Sequence, residues 1–234
     1  AKPGESITYR RNPDYWAKDL PISRGLYNPD EIRFDYYRDA NALFEAFKGG
    51  LYDVRSEDSP TRWTTGYDFP AVRDGFVRRQ EVPIKRTQQM QCFVFNLRRA
   101  QFADRRVREA FNLAFDFEWA NKNLFYGQYA RVGSFFQGSE LAAESALPSG
   151  RELEILNEVK DGVPTEVFTD IHRNPVNATP DDTRSNLRKA AMLLKEAGYE
   201  IKNGVLTNVK TGQPMRVEFL LVSQLFERIV QPYL

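Results

Sequence analysis

Few residues in this 234-residue chain have the types needed for catalysis, and they are poorly placed for it. The one histidine, His172, sits beside Arg173 in a proline-rich stretch; a Ser-His-Asp relay would have to run through it, and its plain reading is a surface imidazole. The one cysteine, Cys92, falls inside the apolar run from Met90 to Asn96, which predicts a buried, inert thiol rather than a nucleophile. A single cysteine also rules out an internal disulfide and a zinc site of clustered thiolates. Two acidic groups, Asp53 with Glu57 and Asp58, and Asp181 with Asp182, have the residue types of a two-carboxylate hydrolase, which needs burial to split the two pKa values. Both fall in stretches that read as exposed, so solvated carboxylates are expected, with Asp181 or Asp182 marking a helix start. No phosphate-cradling glycine loop, dinucleotide fingerprint, H-E-x-x-H or calcium loop is present. The expectation is of a chain that is not an enzyme, with no catalytic residue, no metal and no cofactor.

The bulk numbers agree with a folded, water-facing chain. With 41% apolar and 13% aromatic residues it can fill one large domain or two modest ones. Thirty-three basic residues against 32 acidic ones give a net charge of +1, which argues against a nucleic-acid surface. No apolar run reaches the roughly 18 residues of a membrane span. The chain opens at Ala1-Lys2-Pro3-Gly4 with neither initiator methionine nor signal-peptide pattern, and it stops at Leu234 in what reads as a helix from Ser223. A piece of a longer protein is expected.

The elements that would position any site follow from pattern. Ile7 to Arg10 reads as a strand, closed by Asn12-Pro13-Asp14 turn chemistry with Tyr15 and Trp16 to pin it. Ile32, Phe34 and Tyr36 alternate with Arg33, Asp35 and Tyr37, predicting a half-buried strand. Asp39 should cap a helix from Ala40 to Lys48, with Leu43, Phe44 and Phe47 inward and Gly49-Gly50 as its end. Ser56 to Asp74 reads as loop and short helix; Phe76 to Pro83 and Met90 to Asn96 read as strands joined by a polar connector. Asn96 should hold a corner by bonding to backbone. Asp104 should cap a helix that buries Val107, Phe111, Ala114 and Phe115, and a second runs from Phe117 to Phe125. After an irregular stretch from Gln128 to Pro148, in which Phe135 and Phe136 should staple the loop, a helix starts near Ser149. Val163 to Pro180 should be extended surface structure. Thr183 to Ala197 reads as a helix with Leu187, Ala190, Ala191 and Leu194 on one stripe and Gly198 as its stop. Asn203-Gly204 between apolar residues signals a hairpin, and Met215 to Val222 a strand with a buried interior. The fold class is mixed α/β.

Several phrases resemble one family. "NPDYW" after a short strand, "ALFEAFKGGLYDVR", "FVFN" followed by "DRRVREAFNLAFD", "AAMLLKEAGY" and the Asn-Gly hairpin stand in the order found in solute-binding proteins of dipeptide and oligopeptide ABC importers. Within that family the likeness is greatest to the long-peptide and microcin C type. The resemblance implies a two-lobed periplasmic binding fold, with residues 1–88 ending the first lobe, 89–234 beginning the second and a hinge crossing near 85–91. It implies a peptide or peptide-like ligand gripped between lobes, permease subunits as partners, a periplasmic location, no nucleic acid, no membrane span, and a monomer when full length. On that reading Gln89, Gln91 and Phe93 face the cleft from the second lobe, and Ser59, Arg62 and Trp63 from the first. The aspartate with which several family members fix a peptide's amino terminus would fall after Leu234. Cys92 is out of register for the disulfide that some relatives carry.

Two other readings stay open on the sequence. One is a hydrolase built on Asp53, Glu57 and Asp58. The other is a sensory domain that reuses the binding fold and passes its signal to another protein.

Overall fold

The computed structural model describes residues 4–84, 86–87, 89–143, 146–222 and 226–233. It contains two compact units, Ala1–Arg79 and Gln80–Leu234.

In the first unit, β1 (Ser6–Arg10) and β2 (Glu31–Asp35) form an antiparallel ladder with Ser6 opposite Asp35 and Arg10 opposite Glu31. Tyr9 and Phe34 meet edge to face at 5.8 Å. The strand expected from Ile32 onward exists, but its apolar side is not half-buried: Ile32, Phe34 and Tyr36 are all exposed. Two strands cannot cover their own face, and among the described residues no third strand joins them. Next comes α1 (Ala40–Lys48), capped as expected: the Asp39 carboxylate accepts from the Asn41 and Ala42 amides. Phe44 and Phe47 turn inward onto Phe69, with Tyr52, Tyr67 and Val72 around them. A π-helical turn at Arg62–Gly66 and the short α2 (Pro70–Arg73) complete the unit.

The second unit centres on Phe102, Val107 and Tyr199, packed by Phe95, Phe111, Leu194, Met215 and Val217. Asn96 holds its corner, the side-chain oxygen accepting from the Arg98 amide. The one-turn α3 (Ala100–Ala103) leads to α4 (Arg105–Ala114), capped by Asp104 with Val107 fully buried, and then to α5 (Phe117–Leu124). Further on are α6 (Gly150–Glu158), α7 (Glu166–Thr169) and α8 (Pro180–Glu196), which packs on α4. The hairpin of β3 (Tyr199–Lys202) and β4 (Val205–Asn208) turns at Asn203-Gly204, whose φ values of 50° and 78° are those of a primed two-residue turn. The unit ends in α9 (Glu227–Val230) and a 3-10 turn at Gln231–Tyr233. Of the helix expected from Ser223, residues 223–225 and 234 lie outside the described residues. No helix among the described residues is long and apolar enough to cross a membrane.

Five further expectations fail in the structure. Phe76 to Pro83, Met90 to Asn96 and Met215 to Val222 are apolar enough for strands, yet their described residues belong to no strand ladder. Phe93 meets Phe219 through side chains at 5.4 Å, the Met215 amide donates to the Leu206 carbonyl of β4 at 2.7 Å, and Leu220 and Val222 are exposed. Cys92 is exposed, because the segment that was to bury it packs through Phe93 and Phe95. The stretch from Val163 to Pro180 contains a helical turn, α7. Finally, α8 starts three residues early. Thr179 is its cap in a box with Asp182, and the buried face holds Asn186 and Ala190 while Leu187 and Ala191 are exposed. Asn186 is turned inward by its bonds to Val176 O (2.9 Å) and Asn177 Oδ1 (2.6 Å), which tie down the proline-rich strap. Phe135 and Phe136 are exposed, so neither staples its loop into a core.

Candidate ligand-binding site

Each unit is described by itself. In the first, the sequence "YDVRSEDSPTRW" leaves α1 and doubles back over Phe44. Its centre is Glu57. The side chain is 2% exposed and its neighbour Arg55 is 5% exposed, with Arg55 Nε donating to Glu57 Oε2 at 3.0 Å. The same oxygen accepts from the Tyr67 hydroxyl at 3.1 Å; the other accepts from the Ser59 amide at 3.0 Å and lies 3.8 Å from Arg62 Nη1. Burial alone would raise the Glu57 pKa, but the bonds from Arg55, the Ser59 amide and Tyr67 outweigh it and hold the carboxyl below its ordinary 4.5. Burial likewise works against the Arg55 guanidinium, and its bonds to Glu57 and Tyr52 more than reverse that, so its pKa is raised. Tyr67 is pushed up by burial and then by the Glu57 charge.

The residues expected at the ligand gather around this carboxylate. Ser59 is buried, and its hydroxyl accepts from the Arg62 amide at 3.3 Å, so the side chain shapes the turn. Arg62 starts the π-helical turn, donates to Asn41 Oδ1 at 2.9 Å and lies over the Phe44 ring at 5.6 Å, with 20% of its side chain still exposed. Trp63 is half-buried. Its ring meets Tyr67 at 5.9 Å, and the Arg79 guanidinium stacks on it at 4.8 Å while donating to the Trp63 carbonyl. The turn closes tightly at Gly66, where a Cβ would stand 3.2 Å from Phe44 Cζ and press on that ring. Single π-helical turns recur at functional sites because they re-aim side chains without breaking the helix.

The acidic cluster thus departs from expectation. Glu57 is not a solvated carboxylate; it is buried and matched to two arginines, while Asp53 and Asp58 are exposed. A carboxylate held ionised by arginine does not act as a general acid, and among the described residues no second buried carboxylate is paired with it. Spacing gave little sign of this network: Arg55 stands two residues from Glu57, but Asn41, Tyr67 and Arg79 are brought in by the turn from 10 to 22 positions away.

In the second unit Gln89 and Gln91 are exposed on an extended segment; Gln88 and Lys85, within the expected crossing, lie outside the described residues. Phe93 shares their side of the chain by period two, but packs on Phe219 and remains 38% exposed. Among the described residues no group of three or more His, Cys, Asp or Glu could hold a metal ion.

The first unit thus holds a buried charge network beneath an aromatic turn, and the second an extended segment on which Gln89 and Gln91 are exposed. The family model for "Bacterial extracellular solute-binding proteins, family 5 Middle" matches residues 1–225. The chain belongs to that family. It is 50% identical over 233 residues to a relative in Agrobacterium fabrum named "Probable peptide-binding protein YejA", covering 99% of this chain and 38% of that protein. It is 43% identical to "Uncharacterized protein YejA" of Escherichia coli, over 99% of this chain and 38% of that one. To "Peptidoglycan-binding protein YepA" of Agrobacterium fabrum it is 36% identical, over 99% of this chain and 39% of the relative. The chain therefore spans less than two-fifths of the length of each of these relatives. The family 5 membership bears out the reading made from the sequence phrases, and the mixed α/β class is that of the structure.

Proposed function

We propose that this chain is the central part of an extracytoplasmic solute-binding component of an ABC importer, capturing oligopeptides or peptide-like compounds in the periplasm and delivering them to permease subunits. The observation that carries the reading is the family 5 match over residues 1–225, joined to half-identity with a relative named for peptide binding. The lobe crossing falls near 85–91, and the full-length protein is a monomer. Gln89, Gln91 and Phe93 meet the ligand from the second lobe, and Arg62 and Trp63 from the first, with Ser59 holding the turn beneath them. Arg62 is suited to a peptide carbonyl or carboxylate because its charge is planar, fixed and partly exposed. Trp63 offers a flat apolar shelf to side chains of any sequence. Such a grip uses groups that every peptide has, and broad selectivity follows.

The test is calorimetry of the full-length protein against a mixed peptide library. Peptide is taken up without turnover and without added cofactor; no uptake from the library sinks the reading. The name of the YepA relative favours a second ligand class, peptidoglycan or its peptides. Competition between muropeptides and linear peptides of the same length separates the two.

A further inference from the structure

We propose that Glu57 is a positioning residue for the ligand-facing turn: one buried carboxylate holds both ends of the π-helical turn and thereby sets where Arg62 and Trp63 point. This rests on reading Arg62 and Trp63 as ligand contacts. The turn runs from Arg62 to Gly66, and the groups that bracket it, Ser59 before and Tyr67 after, both donate to Glu57, one to each oxygen. The Ser59 carbonyl then takes the Trp63 amide at 2.9 Å, and its hydroxyl takes the Arg62 amide. Two short chains of bonds therefore lead from Glu57 to the backbone of the two residues in question. Tyr67 adds a third route, because its ring lies against Trp63 while its hydroxyl is fixed to the carboxylate.

The charges around Glu57 make the arrangement two-sided. Arg55 faces it from the preceding segment, Arg62 from the turn, Tyr67 from the exit of the turn and Tyr52 from behind Arg55; Lys48 of α1 stands beyond, over Phe44 at 5.4 Å. Asp53 and Asp58 are exposed. Neutralising the one carboxylate would leave the nearly buried Arg55 guanidinium and Arg62 facing each other with no counter-charge, and breaking a buried pair from one side costs far more than the pair itself contributes. Arg62, the more exposed of the two, is the one free to move away, and Trp63 is its neighbour.

The experiment uses the full-length protein with Glu57→Gln, Tyr67→Phe, Arg62→Ala and Trp63→Phe, the last assigning the Trp63 signal. Near-ultraviolet circular dichroism and tryptophan emission are followed against pH, and peptide affinity is measured with a ligand recovered from the library. Wild type shows an acid transition in the Trp63 signal below the ordinary glutamate range. Glu57→Gln lacks that transition, has an altered Trp63 signal at neutral pH and binds roughly tenfold more weakly. Tyr67→Phe, which removes one bond and leaves the ion pair, shifts the same signal by less and covers the case in which Glu57→Gln does not fold. A Trp63 signal and acid transition unchanged in the folded variants overturn the proposal. Normal binding by Arg62→Ala and Trp63→Phe, with the signal changed in Glu57→Gln, overturns the ligand contacts and supports the positioning.

Discussion

Asn186 and Leu187 are neighbours on α8, and the stripe read from sequence gave the weight to the leucine. The structure reverses this. Asn186→Ala leaves the Asn177 side-chain oxygen and the Val176 carbonyl without a donor in a buried place, which should cost about 1–3 kcal/mol in urea denaturation; Leu187→Ala should cost less than about 0.5 kcal/mol. Equal losses would show that the strap is not held by Asn186. Glu57 carries the matching lesson for charge. Its pKa is depressed by folding, so its contribution is complete at neutral pH, declines as the pH falls through about 4.5 and is lost below the lowered folded value. Wild type should therefore lose stability on acidification through that window faster than Glu57→Gln, measured by denaturant midpoints at each pH. Parallel curves would rule out the linkage. Neither residue was legible beforehand, because the burial of each depends on a partner that the fold brings to it, Asn177 for Asn186 and Tyr67 for Glu57, rather than on its own type.

Where structure is decided within a few residues, pattern was enough. The Asp39 and Asp104 caps and the Asn203-Gly204 hairpin each satisfy local donors or local φ demands, and each stands where it was expected. The start of α8 failed for a local reason too: Thr179 precedes a proline, and the start expected at Asp181 or Asp182 lies inside the first turn, where Asp182 is the third residue of a capping box. Thr179→Ala removes a side chain that accepts from the Asp182 amide and donates to its carboxylate, and should cost about 1 kcal/mol. Gly204→Ala meets no atom within 4 Å, yet a φ of 78° is strained for any side chain, so it too should cost about 1 kcal/mol. Both are read from the thermal or urea transition by far-ultraviolet circular dichroism; a neutral Gly204→Ala would mean the turn relaxes. The expected strands at 76–83, 90–96 and 215–222 failed differently. Their sequences fix an extended backbone, but a ladder needs a second backbone in register, and that is not a local property. For the proposed ligand contacts the same limit holds: Arg62 and Trp63 were proposed from type and position, whereas the buried carboxylate beneath them shows only in the structure.

For the molecule as a whole, the apolar surface is the quantity that calls for a physical account. The chain exposes 18888 Å². A compact protein of 27.1 kDa exposes about 11,000 Å², and two wholly separate units of these sizes about 13,000 Å² together. The excess therefore remains even when the units are counted apart, so it belongs within each of them. It is carried by named residues: Tyr9, Trp16, Ile22, Phe34 and Phe76 in the first unit, and Val94, Leu220 and Val222 in the second. Large apolar side chains exposed in this number are covered in a soluble protein or drive association. Among the described residues, the β1–β2 ladder has no third strand and the segments at 90–96 and 217–222 belong to no ladder, which leaves edges for further pairing. Residues 1–234 prepared alone should therefore enhance ANS fluorescence strongly, scatter light increasingly with concentration and bind peptide poorly, because the opposing wall of a groove is missing. The full-length protein should do none of these. A monodisperse, dye-silent fragment would mean that the exposed residues fold back on one another in solution, and tight peptide binding by it would mean that the grip is complete without the remaining three-fifths of the relatives' length.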